Sequence, residues 1–521
     1  MPITDFVIDT LTEPAAVDSL PALEACKRYP PPEVKSVAEG LLWRALNAGH
    51  SVLISGGGAG VGKSYLCKQF IEAARESLGN RLVVTAPTAK AAGELGGVTL
   101  HKALGLGLAK DDPRQLLSKL QNARSAWLKR SLKFLTQTDI LLIDEISMLD
   151  IRLFRIIEFL ARSLRKDKGI FGGMQLVMCG DFLQLPPIPG ENDAKTQGEE
   201  HLFETEAFKA LSICRLWLLR VMRQSDARFI ELLNHVRFGR LTAEDNKMLA
   251  DKLLEAEAES QPHNLGLVPL HIFSYRKEVQ QANERKFQSL LLESRHAHHF
   301  KPRVVIEHRP GPSEPGDQQA AQAMAMSPKD LESHFPVYEV QVCEGAQVMC
   351  RCNHWFESHQ IANGSLGVVV AVTPNHITCN FLNARGEEVK ALEVTRYNFR
   401  MGFGKSVDVV MSQFPLTLAW ATTIHAVQGL TLDYVHIGAR TFFASGQFYV
   451  ALSRARSWAG VTLANIPRTL DVSAACARFE TPPVARAKRP REIDVCEPSE
   501  PSEPSDAECS EPDERSDPDI E

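Results

Sequence analysis

The densest chemistry in this chain is a glycine-rich run, Gly57-Gly-Ala-Gly-Val-Gly-Lys-Ser64. It fits the pattern of a Gly separated by four residues from Gly-Lys-Ser/Thr, follows the apolar run Ser51 to Ser55 and leads into helical sequence through Ala74. That strand-loop-helix context argues against an idle glycine loop. A loop of this kind turns the backbone amides of Gly57, Gly58, Ala59, Gly60, Val61 and Gly62 toward a phosphate at a helix N-terminus. Lys63 would neutralise the β- and γ-phosphates, and the Ser64 hydroxyl would ligate magnesium. Some 80 residues on, the apolar run Ile140 to Ile143 ends in Asp144-Glu145. One acid, Asp144, can hold magnesium while Glu145 polarises the attacking water. A third apolar run, Leu176 to Met178, leads to Gly180-Asp-Phe-Leu-Gln184, where Gln184 can sense the γ-phosphate. Taken together these groups suit ATP and Mg2+.

The elements that must position these residues alternate in kind. Helical spacing over Glu33 to Ala48 precedes the strand-like run Ser51 to Ser55, and short apolar runs recur at Leu82 to Val84, Ile140 to Ile143 and Leu176 to Met178, separated by helical sequence. Strands alternating with helices predict a parallel, doubly wound sheet, which sets all three chemical segments at its carboxyl edge. After about residue 225 the pattern restarts with a helix (Phe229 to Arg240), a strand (Leu270 to Phe273) and an amphipathic helix (Glu278 to Leu291). A stretch rich in Pro, Gly, Gln, Ala and Ser, Arg309 to Pro336, interrupts this second lobe. Strand-like pieces at Tyr338 to Val342, Val348 to Cys352, Gly367 to Val372 and Ile377 to Phe381 then predict a small β-barrel. The lobe resumes near Leu416.

At 521 residues the chain is long enough for several buried cores, and 44% hydrophobic with 23% charged residues is a globular composition. No run of 18 apolar residues is present, so no membrane partner is expected. The net charge of -6 is uneven: Glu492 to Glu521 carries thirteen acids and one Arg, leaving a body of about +6 that suits a polyanionic partner. This tail, with repeated Glu-Pro-Ser units, cannot bury enough apolar surface to fold, and Lys488-Arg489-Pro490-Arg491 before it has the form of a nuclear address. Eleven dispersed cysteines point to a reducing compartment rather than a disulfide framework. The first 26 residues hold five acids and no Lys or Arg, unlike a secretory signal or a mitochondrial presequence.

The block Phe171-Gly-Gly-Met-Gln-Leu-Val-Met-Cys-Gly-Asp-Phe-Leu-Gln-Leu-Pro-Pro187, with Asp144-Glu-Ile-Ser-Met148 before it, resembles the petite-integration-frequency (Pif) family of superfamily 1B DNA helicases. The resemblance extends through Thr85 to Ala92, Thr99-Leu-His101, Val221-Met-Arg-Gln224, Gly345 to Met349, Asn363-Gly364, Leu418 to His425, Gln428-Gly429 and Tyr449-Val-Ala-Leu-Ser-Arg-Ala455, over about residues 35 to 465. It implies two RecA-like parallel-sheet motor lobes with a small β-barrel (SH3-like) insert and disordered termini. The expected divisions are a weakly ordered lead-in over 1–34, a first lobe over 35–225, a second lobe over 226–305 and 413–470, a linker and insert over 306–412, and a disordered tail over 471–521. The activity implied is ATP-dependent five-prime to three-prime translocation on single-stranded DNA, with unwinding of forked duplexes, by a monomer. Nuclear replication or repair, with protein partners engaged through the acidic tail, would be the setting, and viral genome replication is equally compatible. By the same resemblance Arg223 and Arg454 are arginine fingers reaching from the second lobe to the γ-phosphate, and Gln184 couples the lobes. Thr88, His101, Asn363, His425 and Gln428 fall in segments that contact the strand, polar and mostly uncharged as suits contacts to phosphate and sugar.

Three departures stand out. Lys27 to His50, where the family places an adenine-reading Gln, contains none; Val61 replaces the usual Thr; and Ala426 stands where a Lys is usual. Base selectivity and DNA affinity are the properties these changes touch. Cys343, Cys350, Cys352 and His354 could be drawn as a zinc site, but Cys350-x-Cys352 alternates within a strand-like run, which disfavours it; Arg295-His-Ala-His-His299 reads as a surface turn, and Lys129, Arg130 and Lys133 as a solvated helix face. The rival readings are a nucleotide-switched DNA-binding scaffold, which has no need of two arginine fingers, and a RecD-like subunit of a nuclease complex. No nuclease carboxylate cluster is visible in the sequence.

Overall fold

The computed structural model describes residues 4–8, 28–29, 35–104, 112–122, 126–187, 201–255, 266–293, 295–308, 326–327, 331, 335, 337–361, 363–383, 387–403 and 407–482. Seven parallel strands form the first sheet: β1 (Thr4–Ile8), β2 (Ser51–Gly56), β3 (Leu82–Ala86), β4 (Val98–Thr99), β5 (Ile140–Ile143), β6 (Gln175–Cys179) and β7 (Ile213–Leu218), in the spatial order β1-β7-β2-β6-β5-β3-β4. Every residue of β2, β5, β6 and β7 is buried, because helices cover both faces of such a sheet and leave no strand face wet. One face packs Trp43 and Phe70 at a ring separation of 5.0 Å, and the other packs Phe154 and Phe171 at the same distance. The adjacent strands β2, β6 and β5 therefore deliver the phosphate loop, the Asp181–Gln184 turn and Asp144-Glu145 to one edge.

Strand β8 (Leu270–Phe273) opens the second lobe, which then gives way to an insert. The insert comprises β9 (His298–Phe300), β10 (Arg303–His308), β11 (Val340–Val342), β12 (Gln347–Cys350), β13 (Leu366–Val372), β14 (His376–Leu382), β15 (Glu388–Thr395), β16 (Tyr397–Phe403), β17 (Val407–Gln413) and β18 (Leu416–Leu418). They pair as antiparallel sheets of five (β15-β14-β13-β12-β18), three (β10-β17-β16) and two (β11-β9) strands. Cys343, Cys350, Cys352 and Cys379 are buried in the core of the insert. The second lobe closes with β19 (Ala421–Thr423), β20 (Val435–Ile437) and β21 (Val461–Leu463), giving a parallel sheet ordered β19-β8-β20-β21.

Several boundaries differ from the sequence reading. The lead-in contains β1, which pairs with β7 from Thr4↔Cys214 to Ile8↔Leu218. The insert begins before residue 306, because β10 pairs with β17 across the whole interruption, and the second lobe resumes at β19 rather than at 413. Strands β15 to β17 carry charged, solvent-facing positions such as Glu388, Lys390 and Arg400, which mask the alternation a sequence search needs. The segment 471–482 is structured too: a helix, Ala474–Phe479, is capped by Ser473 and buries Cys476 and Glu480. The expected disorder of residues 483–521, the basic run Lys488 to Arg491 and most of 309–336 lie outside the described residues. Lys129, Arg130 and Lys133 are exposed on the helix Ala126–Gln137.

Candidate nucleotide site and flanking polar track

The phosphate loop runs from the end of β2 into the helix Lys63–Leu78, with Gly62 in the left-handed region as its cap. Gly58 and Gly60 also have positive φ, 120° and 77°. Neither position has room for a side chain, since a Cβ would meet the Tyr449 hydroxyl at Gly58 and the Arg223 Cβ at Gly60. Glycine is therefore required both by the turn and by the close approach of the second lobe at Gly58 and of the segment after β7 at Gly60. The Lys63 ammonium donates to the Gly58 carbonyl at 2.6 Å, and the Ala59 amide donates to the Tyr449 hydroxyl at 2.7 Å. The loop's polar groups are thus engaged internally and by the second lobe. Val61 is buried in the core beneath, so the hydroxyl lost there is replaced by packing.

Behind the loop, Asp144 is buried and Glu145 follows it with φ 50° and ψ 48°, a left-handed conformation stabilised by the bond from its own amide to Asp144 Oδ1 at 2.9 Å. Burial raises the Asp144 carboxyl, with Lys63 opposing the shift. Enclosure and then the Asp144 charge push Glu145 up to about 7. Two acids side by side next to a lysine at a helix N-terminus fit a site completed by a phosphate-bound cation. The Ser64 hydroxyl and the Asp144 carboxylate are the hard oxygen donors that magnesium takes.

Across the cleft stands Arg454, 2% exposed, its Nε donating to Val450 O at 2.8 Å and its Nη2 to Ser453 Oγ at 2.7 Å. Burial and then repulsion from Arg223 pull its guanidinium down to about 9. Arg223 arises from the segment after β7, between the two sheets, rather than from the second lobe proper. It spans the lobes by donating to Thr431 Oγ1 at 2.9 Å and to Ser453 O at 3.1 Å. Two guanidiniums close enough to repel each other, with Glu145 and Glu94 only partly offsetting that repulsion, favour an anion between them. A cleft of about 750 Å³ is lined by Ala59 to Ser64, Asp144, Glu145, Gln184, Arg223 and Arg454, a size suited to a nucleotide.

Gln184 is fixed by a bond from its Nε2 to Asp181 Oδ2 at 3.2 Å. Asp181 is itself clamped by Arg237, at 2.8 Å and 3.0 Å, from the helix Ala227–Phe238 of the other lobe. Burial would raise the Asp181 carboxyl, but Arg237 and Lys63 hold it below the usual range. The pair continues into Glu480, whose Oε2 lies 2.8 Å from Arg215 Nη2 and 3.6 Å from Arg237 Nη2.

Of the five residues assigned to a strand track, three, Thr88, His425 and Gln428, line the same cleft. Thr88 Oγ1 caps the helix Ala89–Glu94 by accepting from Ala91, and burial lowers the His425 imidazole, with Arg276 adding to the shift. Asn363 lines a neighbouring cavity of about 730 Å³ with Gly429 and Leu430. His101 lines neither of these cavities; it lies on the helix Leu100–Leu104. At the position lacking a Lys, Ala426 lines the cleft beside Arg276 and Arg351. In the segment without a Gln, Glu39 is fully buried; its Oε2 accepts from the Lys35 amide at 2.8 Å, and its Oε1 has no hydrogen-bond partner among the described residues.

Sequence reasoning missed Tyr449, Asp181, Arg237, Glu480 and Arg276. Tyr449 and Asp181 stood inside quoted motifs, and their neighbours could have drawn attention to them. Arg237, Glu480 and Arg276 carry no local signal, being ordinary charges on helices or at their ends.

A family model described as PIF1-like helicase matches residues 32–247. Human ATP-dependent DNA helicase PIF1 is 32% identical over 498 residues, covering 93% of this chain and 69% of that protein. Among solved structures, Pif1 helicase from Candida albicans is similar at a TM-score of 0.66 and 28% identity, covering 86% of this chain and 98% of that one. Pif1 from Bacteroides, solved with ADP-AlF3 and single-stranded DNA, is similar at a TM-score of 0.56 and 27% identity, covering 83% of this chain and 92% of that one.

Proposed function

The chain belongs to the PIF1-like helicase family, and from that premise we propose that it is an ATP-dependent DNA helicase that moves five-prime to three-prime on single-stranded DNA and opens forked duplexes. The observation that carries the reading is the single cleft in which Lys63, Asp144 and Glu145 of one lobe face Arg454 of the other, with Arg223 bridging them. In this reading ATP is the substrate. The loop amides and Lys63 hold its phosphates. Glu145 orients the attacking water and accepts its proton, a role suited to a carboxyl at about 7. Magnesium, held by Ser64 and Asp144, would neutralise charge on the β- and γ-phosphates. Arg223 and Arg454 stabilise the charge that develops on the transferring phosphoryl group only when the lobes close, which ties hydrolysis to lobe motion. Gln184, anchored by Asp181 to Arg237, transmits that closure.

Thr88, His425, Gln428 and Asn363 are proposed to hold the strand's backbone, with His101 as an outlying contact. Action as a monomer in nuclear replication or repair, with protein partners held by the acidic tail, completes the proposal. Among the described residues no helix is long and apolar enough to cross a membrane. The test is unwinding of forked DNA of both polarities with ATP and magnesium. Strand separation on five-prime-tailed forks is expected, together with loss of hydrolysis but retention of DNA binding in Lys63→Ala. DNA binding without strand separation would favour the nucleotide-switched scaffold instead.

A further inference from the structure

Two aromatic side chains remain in solvent where the second sheet ends. Tyr275 follows β8 and begins the helix Arg276–Leu292; Phe443 stands in the loop between β20 and the helix Gln447–Leu452. They are 45% and 52% exposed, yet their rings lie 5.1 Å apart at 34°. His425 continues the series, 6.2 Å from Phe443 at 20°. Three elements far apart in sequence thus contribute one ladder of rings, and its inner member lines the nucleotide cleft beside Arg276.

The backbone under the ladder is fixed. Ser274 Oγ donates to Thr441 O at 2.6 Å, tying the strand end to the loop, and the Phe443 amide donates to Gln447 Oε1 at 3.0 Å. The fold therefore holds the rings in register although burial does not require it. Arg276 and Lys277 directly follow Tyr275, and Arg440 lies three residues before Phe443, all exposed. Open π-faces edged by cations suit a ligand that carries flat rings on a polyanionic backbone. A duplex keeps its bases stacked on one another and offers no such face, whereas an unpaired strand does.

We propose that Tyr275, Phe443 and His425 form a stacking platform for unpaired bases of the strand at the second lobe, with Arg276, Lys277 and Arg440 facing its phosphates. The proposal rests on the helicase reading and adds to it a contact with bases, which His425 makes with its ring face beside the backbone contact already assigned to it, while Thr88, Gln428 and Asn363 contact backbone alone.

The full chain is titrated with fluorescent oligo-dT and with an oligonucleotide of equal length carrying abasic sites at its central positions. Stacking contributes about 1–3 kcal/mol per base, so dT should bind about five- to 150-fold more tightly than the abasic strand for each base stacked. In Tyr275→Leu/Phe443→Leu, which keeps apolar bulk but removes the π-faces, this ratio should fall toward one while affinity for the abasic strand is preserved. Equal binding of both strands by the parent protein overturns the platform and leaves the helicase reading intact; binding of neither strand overturns the helicase reading itself. A double variant that keeps the parental ratio, or that loses abasic and dT binding equally, shows that the rings support the loop rather than the bases.

Discussion

Replacing Glu480 tests whether the segment after the second lobe is a structural tie. Glu480 is fully buried; its Oε2 lies 2.8 Å from Arg215 Nη2, and its Oε1 accepts from the Phe182 amide at 3.1 Å. Arg215 also lies against the rings of Trp217 and Phe479, at 3.7 Å and 4.2 Å, so it cannot turn out to water without breaking that packing. In Glu480→Ala two buried guanidiniums, Arg215 and Arg237, are left with Asp181 as the one acid of the cluster. Removing one partner of a buried pair costs about 3–5 kcal/mol, whereas an exposed pair such as Lys35–Glu72, with side chains 52% and 66% exposed, contributes about 0–1 kcal/mol. Urea unfolding of Glu480→Ala and of the control Glu72→Ala should therefore separate by at least about 2 kcal/mol. Truncation after Val472 should lose as much as Glu480→Ala or more. Truncation after Pro482 should leave the midpoint unchanged, because the sequence beyond it lacks the apolar runs that build a core. A Glu480→Ala protein within about 1 kcal/mol of the control would refute the tie.

Three further outcomes are expected. Tyr449→Phe removes the acceptor of the Ala59 amide, a bond worth about 0.5–1.5 kcal/mol that holds the loop when no phosphate does, so KM for ATP should fall about two- to tenfold; an unchanged KM would mean the bond persists with nucleotide bound. His271 packs against His436 with ring centroids 4.3 Å apart and tilted by 42°, and burial followed by the charges of His436 and Lys286 lowers it to about 4. A folded pKa below the unfolded value of about 6.5 means that the unfolded state binds more protons, so stability should fall as pH drops from about 6.5 toward 4, by at most roughly 2–3 kcal/mol, and His271→Asn should flatten that slope in urea titrations at several pH values. With no Gln before the phosphate loop, kcat/KM for GTP should come within about tenfold of that for ATP; a preference beyond about a hundredfold would refute this and direct attention to Glu39 Oε1, without a hydrogen-bond partner among the described residues, as an acceptor for the adenine amine.

What the sequence determined by itself is local. The phosphate loop and the Asp144-Glu145 step are legible because their conformation is set within a few residues, by glycines and by the end of an apolar strand. Ile140–Ile143 and Leu270–Phe273 coincide with their expected strands: the first is buried on both faces and so continuously apolar, while the second alternates buried and half-buried residues. The insert's outer strands were less legible because their stability comes from backbone pairing, which any side chain permits. The site's closure belongs to the tertiary structure: Ala59 and Tyr449 meet across 390 residues, Arg215 and Glu480 across 265, and Asp181 and Arg237 across 56. At such separations a contact depends on how whole sheets and helices pack. A lone Arg on a helix reads identically in sequence whether it faces water or a buried carboxylate, and only the packing around it distinguishes the two.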